Sequence, residues 1–358
     1  MRVSVARPHE LGASELDRWR ALQRLDQRLD NPFLSPEFTQ AVGHARPNAR
    51  VAVIQAGQND AGYFSYEHDR LGIGRPIGAG ISDCQGVVYG PEFTLDPNAL
   101  LSGCKLAVWE FDHLLAYQAS GGPYHVTRAL SPAIDLSSGF AGYIAERPSL
   151  DRQLRRSQRV LEREVGEITF DYDVRDPALL RTLMGWKSAQ YRRTGRFDRF
   201  ANRSIVHVVE ELMEARSGGC SGTLSVLYAA GQPVAAHFGL RSGSVLASWF
   251  PAFDVRFARY RPGLLLFRRL AEASAQLGLR QIDFGKGEEQ YKQDFKNADI
   301  AVVEGWVEQP GAVAGWRRVQ RAPRRFVVDF VLSRPTLRVG ARRALMGLGY
   351  VRTMGSTR

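Results

Sequence analysis

A short pattern occurs twice in this chain, and the repeat limits the folds open to it more than any other feature. Residues 51–64 read Val-Ala-Val-Ile-Gln-Ala-Gly-Gln-Asn-Asp-Ala-Gly-Tyr-Phe, and residues 224–238 read Leu-Ser-Val-Leu-Tyr-Ala-Ala-Gly-Gln-Pro-Val-Ala-Ala-His-Phe. Each is an apolar run, a Gly-containing turn and a second apolar run, which is the signature of a β-hairpin. The shared Ala-Gly-Gln begins at Ala56 and at Ala230, 174 residues apart in a chain of 358. Matching hairpins half a chain apart point to an internal duplication. Two domains also fit the length, at roughly 100–200 residues each.

Helical periodicity precedes each hairpin. Leu16, Trp19, Leu22, Leu25 and Leu29 share one face between Glu15 and Leu29, and Leu179, Leu180, Leu183 and Trp186 share one between Asp176 and Arg193. Asp176 followed by Pro177 has the form of an N-cap and a first helical residue. Leu150, Leu154, Leu161 and Val165 stripe the segment after Pro148, whose other faces carry Arg152, Arg155, Arg156, Arg159 and Arg163. This reads as a helix bridging the halves, with its charged face either solvated or touching an anion. After the second hairpin, Val245–Phe250 reads as a strand, Pro262–Leu277 as a helix with Gly278 at its C-terminal cap, and Arg280–Phe284 as a strand. The expected fold is therefore α/β, with mixed sheets. The expected division is residues 1–147, residues 148–309, and a basic helical tail over 310–358.

The net charge of +11 suggests a nucleic-acid binder until it is located. Residues 311–358 hold eleven Arg, no Lys and one acid, a net of +10, so residues 1–310 are nearly neutral. A body without net charge disfavours an extensive phosphate-binding groove. In the tail, Trp316, Val319, Phe326, Val327, Phe330, Val331 and Leu332 alternate with Arg clusters, and Leu345, Met346 and Leu348 follow. Basic amphipathic segments bind anionic membrane surfaces, so peripheral membrane association through the tail is one expectation. Surface packing or partial disorder is the other. No apolar run reaches the ~18–20 residues that span a bilayer, and no apolar h-region follows Met1. Cys84, Cys104 and Cys220 are an odd, widely spaced set without a CxxC pair. Neither a zinc site nor a disulfide framework is expected, and a cytoplasmic location is.

Four places can carry chemistry. The junction Tyr260-Arg261-Pro262-Gly263-Leu264-Leu265 opens a helix, and helix N-termini bind phosphate through free amides. The same pattern also serves ordinary helix initiation. The run Asp283-Phe-Gly-Lys-Gly-Glu-Glu-Gln-Tyr291-Lys292 follows a strand end, where α/β sheets often hold ligands, although a charged Gly-rich turn has the same composition. His237, among small residues in the second hairpin, is either a general base or a structural histidine. Asp83 lies in Ser82-Asp-Cys-Gln-Gly86 after a Gly-rich stretch and is a candidate acceptor contact. No Ser-His-Asp order and no GxSxG elbow occur.

Tyr260-Arg-Pro-Gly-Leu-Leu, the strand ending Asp283-Phe-Gly, and Gly287-Glu-Glu-Gln-Tyr-Lys-Gln-Asp-Phe295 together resemble the CelD-type acyltransferases. These are a branch of the GNAT superfamily related to the FemABX aminoacyltransferases. Trp186-Lys-Ser-Ala-Gln-Tyr191 and Gln232-Pro-Val-Ala235 suit that family too, and the resemblance spans about residues 10–305. It implies two tandem GNAT-like halves and an acyl-CoA donor, acetyl-CoA first, with no metal. It places the donor at Tyr260, Arg261, Gly263, Leu264 and Leu265, although Tyr260 and Leu265 stand where the usual cofactor loop has other residues. One donor site is expected, in the second half. The resemblance implies catalytic roles for Lys292, Asp283 and His237, and acceptor contacts from Asp83, Trp186, Tyr191 and Tyr291. The strand around Ala235–Gly239 would lend an amide to the acyl carbonyl.

The implied activity is transfer of an acyl group to an amine or hydroxyl, on a small molecule or a glycoconjugate of polysaccharide or envelope synthesis. A FemABX-like transferase using aminoacyl-tRNA is an alternative, as is a non-catalytic, degenerate GNAT scaffold. Nucleic acid other than tRNA is not expected as a partner.

Overall fold

The structure, a computed structural model, describes residues 1–56, 59–217 and 219–317. Most of the basic tail, including Val319–Leu332 and Leu345–Leu348, lies outside the described residues.

The first half runs β1 (Arg2–Ala6), α1 (Ala13–Leu25), α2 (Pro36–Ala45), β2 (Ala49–Ala56), β3 (Asn59–His68), β4 (Ile73–Pro76), β5 (Val88–Tyr89), α3 (Pro97–Gly103), β6 (Val108–Leu115) and β7 (His125–Asp135). Two helices follow, α4 (Gly139–Ala145) and α5 (Pro148–Glu164). The second half runs β8 (Ile168–Asp171), α6 (Pro177–Arg193), α7 (Arg203–Glu214), β9 (Ser221–Ala229), β10 (Gln232–Arg241), β11 (Val245–Phe253), α8 (Pro262–Gln276), β12 (Gln281–Asp283), α9 (Gln290–Phe295) and β13 (Ala298–Glu308).

All the strands join one mixed sheet in the order β1-β2-β3-β4-β6-β13-β7-β12-β11-β10-β9-β8, with β5 on β3. That order reads the same from either end once β1 is matched with β8, β2 with β9, β3 with β10, β4 with β11, β6 with β12 and β7 with β13. The repeat seen in the hairpins thus extends to the whole topology. β7 and β13 begin 173 residues apart, at His125 and Ala298, close to the spacing of the hairpins. These two strands are exchanged. β13 pairs with β6 of the first half, β7 pairs with β12 of the second, and the two pair with each other from Ala298↔Ala133 to Trp306↔His125. Each half therefore completes its sheet with a strand from the other. The parallel pairs β4–β6 and β11–β12 each need a crossover, which α3 and α8 supply.

Alternation along the strands buries both faces. On one face α1, α2, α6 and α7 cover both halves with a common core that includes Trp19, Phe38, Val53, Leu183, Val208, Val226 and Phe238. On the other face, α3 covers the first half over Ile54, Phe64 and Trp109, while α4, α5, α8 and α9 cover the second over Leu227, Leu246 and Ile282. The halves also lock through Trp249, whose Nε1 donates to the Ile81 carbonyl at 2.7 Å and whose ring meets Phe33 edge-on at 5.6 Å.

Local signals fix the helix ends. Asp176 accepts from the Ala178 amide at 2.7 Å and caps α6 as expected. The first helix stops at Leu25 rather than Leu29. Asp26 is extended and accepts from the Arg28 amide at 2.9 Å, so it caps a new single turn over Gln27–Leu29. Leu25 is left exposed, while Leu29 turns inward. No described helix is long and apolar enough to cross a membrane.

Candidate functional site

β11 and β12 pair only over Val245–Ala247 and Gln281–Asp283. β12 then ends, while β11 continues to Phe253, so the edge of Ser248–Phe253 facing away from β10 opens onto a wedge. β10 was expected to lend the amide for an acyl carbonyl, but Ala235–Gly239 is bonded to β9 on one side and to β11 on the other. An interior strand has no free edge, so Ala235–Gly239 has no amide to lend.

The N-terminus of α8 sits at the C-terminal end of β11. Pro262 has no N–H, and the Leu264 and Leu265 amides bond the Arg261 carbonyl at 3.0 and 3.3 Å. The Gly263 amide has no acceptor among the described residues. Arg261 is exposed, caps with no side-chain bond, and is held left-handed at φ 57° and ψ 47°. A residue with a Cβ holds that conformation at a cost of about 1–2 kcal/mol, which is the kind of strain found at functional sites. The helix start is thus open, with the dipole's positive end and a guanidinium beside it. Tyr260 and Leu265 were expected at this site, but both side chains are buried. The Tyr260 hydroxyl donates to Glu164 at 3.0 Å, so it pins α5 rather than facing a ligand.

The equivalent place in the first half is closed. Asp96 accepts from the Asn98 and Ala99 amides at 2.9 and 3.3 Å, filling the N-terminus of α3 with a carboxylate. The gap beside β6 is filled by chain. The Gln85 amide donates to the His113 carbonyl and the Leu115 amide to the Gln85 carbonyl, both at 3.0 Å.

Three of the residues singled out in the sequence converge on Gly285, and a fourth, Tyr291, lies beside Phe284. The Gly285 φ of +67° is one that glycine adopts freely. Asp283 accepts from the Gly285 amide at 2.9 Å and Lys292 donates to the Gly285 carbonyl at 3.0 Å, so the pair clamps one residue from both sides. Asp83, from the first half, packs on it so closely that a Cβ at 285 would lie 2.9 Å from the Asp83 carboxyl carbon. Tyr291 stacks on Phe267 at 5.1 Å, and burial first, then the Glu289 and Asp83 charges, push its phenol up.

These contacts revise two expected roles. Lys292 also donates to the Lys286 carbonyl at 2.9 Å and lies 3.5 Å from Glu289, so its ammonium holds the loop together. Asp283 is buried and accepts from Ser131 Oγ at 2.8 Å and Asn31 Nδ2 at 3.4 Å. Both residues position the loop. Burial raises the Asp283 carboxyl above its usual range despite the Gly285 and Ser131 bonds.

His237 is 0% exposed. Its Nε2 bonds Ser248 Oγ at 3.0 Å, its ring meets Phe267, and burial followed by the Lys187 charge takes it down to about 3. A neutral imidazole sealed in the sheet cannot serve an acceptor as a base. Trp186 packs against the shared core of α1, α2, α6 and α7. Tyr191 is buried, with Lys187 Nζ 5.3 Å above its ring; burial first, and Asp83 among the charges, raise its phenol.

Lys187, inside the Trp186–Tyr191 stretch, is a functional candidate that sequence reasoning misses. It is half-buried, and its Nζ donates to the Pro251 carbonyl on β11 at 2.8 Å. A signal existed: the chain has only five Lys, and unlike Arg a Lys can lose its proton near neutral pH. Glu289, bonded to Arg196 at 3.0 Å, and His113, 3.8 Å from Asp83, complete the surroundings. No group of three metal-ligating side chains occurs among the described residues.

Residues 148–293 match the sequence profile of the acetyltransferase (GNAT) domain. No curated protein sequence matches the chain. Among solved structures, the chain is similar to the C-terminal DUF2156 domain of a putative lysylphosphatidylglycerol synthetase from Agrobacterium fabrum, at 12% identity and TM-score 0.53, covering 86% of this chain and 96% of that one. It is similar to a conserved protein of unknown function from Bacteroides thetaiotaomicron, at 11% identity and TM-score 0.55, covering 82% and 97%. It is also similar to FemX, at 10% identity and TM-score 0.50, covering 72% and 87%. At such identities the likeness is one of fold. The profile match falls on the half that carries the open wedge and the uncapped helix.

Proposed function

We propose that the chain moves an acyl group, acetyl being the first candidate, from acyl-CoA to an amine or hydroxyl acceptor seated between the halves. The observation that carries this reading is the asymmetry of the two helix starts. α8 opens with a free amide and Arg261 beside an open strand edge, whereas α3 is filled by Asp96. The Gly263 amide, the helix dipole and Arg261 would hold the donor's pyrophosphate. The open edge of β11 would face the thioester, and Asp83, Tyr191, Tyr291 and Glu289 would meet the acceptor. Transfer is then direct: the acceptor attacks the carbonyl carbon and the CoA thiolate leaves. An acceptor in polysaccharide or envelope glycoconjugate synthesis is supported by the CelD-type sequence resemblance.

The aminoacyl-tRNA alternative needs a polyanion surface. A groove of about 290 Å³ between α5 and α8 is lined by Arg155, Arg159, Arg268 and Arg269. Asp151 pairs with Arg155 and Arg268, and Glu272 with Arg269. Only Arg159 of the four lacks a carboxylate partner among the described residues. Four guanidiniums against two carboxylates leave the groove a net charge of only +2, a small footprint for a polyanion, which favours the smaller donor.

Calorimetry with acetyl-CoA tests the reading. Hydrogen bonds to charged groups contribute about 1.5–3 kcal/mol, so Arg261→Glu is expected to weaken binding at least about tenfold, while Asp96→Ala leaves it unchanged. No acyl-CoA binding by the wild type, or equal binding by Arg261→Glu, would overturn it.

A further inference from the structure

The transfer requires that the acceptor lose a proton, and most candidate bases are disqualified by their contacts. His237 is sealed in the sheet. Lys292 is engaged by two carbonyls and Glu289. Asp283 is buried beneath Gly285. Burial pushes Glu289 up, but Lys292 and Arg196 outweigh it and hold the carboxylate below its usual range, which makes it a poor base. Lys187 remains. It projects from α6 onto β11 and reaches a backbone carbonyl there, at 2.8 Å. The strand geometry says which edge this is. The Asp254 amide bonds the Val234 carbonyl, so counting back along β11 by twos, Ala252 and Phe250 face β10, while Pro251 and Phe253 face the wedge. Pro251 has no N–H, so its carbonyl is all it offers the wedge, and Lys187 Nζ marks the spot.

We propose that Lys187 is the catalytic base of the acyl transfer, taking the acceptor's proton at the open edge of β11. The inference rests on the acyltransferase reading above. The acceptor nitrogen or oxygen forms a bond to the thioester carbonyl carbon, and the carbonyl electron pair moves onto oxygen. Its return breaks the C–S bond and releases the CoA thiolate. The acceptor's proton moves to Lys187 Nζ, and from there to the thiolate sulfur or to solvent. A neutral Nζ can donate one N–H to Pro251 and still aim its lone pair at the acceptor.

The surroundings suit that state. Burial is the first influence on Lys187. Arg199 and Arg196, from the segment after α6, and Lys292 of α9 add like charge, while Glu289 opposes them. His237 behind it on β10 is neutral, and Tyr191 lies under it on the same helix. The net effect takes Lys187 from 10.5 down to about 7, so a large fraction is neutral at working pH. General bases are most efficient when poised in this way.

Two measurements on the full chain test this. The first is trace labelling of lysines by acetic anhydride across a pH series, with and without saturating acetyl-CoA, read by mass spectrometry. Lys187 is expected to label with a midpoint near pH 7, against about 10.4 for exposed lysines, and to be protected by acetyl-CoA. The second is release of CoA thiol from acetyl-CoA with water as the acceptor. The rate is expected to rise through about pH 7, and to fall about 10²–10⁴-fold with loss of that limb in Lys187→Met and Lys187→Arg, while calorimetric binding of acetyl-CoA persists. A midpoint near 10, absence of protection, or unchanged release in both variants overturns the inference. A wild type that binds no acyl-CoA overturns the acyltransferase reading with it. Binding with an unshifted Lys187 overturns this inference alone.

Discussion

Gly285→Ala is the sharpest probe of how the two halves meet. Two costs arise at this residue, and they can be separated. The first is conformational. Alanine at φ +67° costs about 1–2 kcal/mol, offset by about 0.4–1 kcal/mol from a less flexible unfolded chain. The second is steric. The new methyl would lie 2.9 Å from Asp83 Cγ and Oδ2 and 3.1 Å from its Cβ, so Asp83 must move. Overpacking of this kind costs about 1–3 kcal/mol. Urea unfolding should therefore show Gly285→Ala less stable by about 2–4 kcal/mol, read from the midpoint at unchanged slope. In an Asp83→Ala background the carboxyl is gone and only the conformational cost plus a tight Cβ contact remains. The penalty should then fall by at least about 1 kcal/mol. Residues that do not touch add within about 0.3–0.5 kcal/mol. Additivity of the two substitutions would falsify the contact, and with it the placement of Asp83 against the second-half loop.

Two further outcomes follow from the sheet and its buried acid. Residues 1–147 and 148–317 expressed separately should each be unfolded or aggregated by circular dichroism and gel filtration, and should co-purify when co-expressed. β13 pairs nine residues with β7 and six with β6, all across the division, so independent folding of either piece would contradict the exchange. Burial raises the Asp283 carboxyl above its unfolded value of 3.8, so the protonated form is favoured in the fold. Its stabilising contribution is complete below the unfolded value and is lost as pH rises through the folded one. Thermal melts should therefore shift in favour of Asp283→Asn, relative to wild type, between pH 4 and pH 7; a shift the other way refutes the assignment.

Much of the second half was legible in the sequence because its signals are local. Asp176-Pro177 starts α6 by capping, Pro262-Gly263 starts α8 by a fixed φ and a missing donor, and strand alternation marks the hairpins. Where a local signal competed with another, the nearer one won: Asp26 ended α1 by capping its own turn, against the periodicity that ran on to Leu29. The site was legible in part. Asp83, Asp283 and Lys292 do gather around Gly285, with Tyr291 beside Phe284, but what each can do depends on which partners engage it. Lys292 and Asp283 are engaged by the loop they clamp, His237 is sealed in a strand bonded on both edges, and Lys187 gains its place only because β11 outruns β12.

The sequence by itself determined that this chain is duplicated, that its body is nearly neutral, and where its helices begin. Those properties follow from the order of residues within a few turns of chain, and from a repeat that survives as spacing. Only the tertiary structure decided that the halves exchange their last strands and that one helix start is open while its counterpart is filled. It also decided which lysine faces the wedge. The physical reason is that exposure of an amide, a carbonyl or an ammonium depends on what occupies the neighbouring space. At this site the neighbours come from distant segments, as Asn31 and Ser131, 252 and 152 residues from Asp283, show.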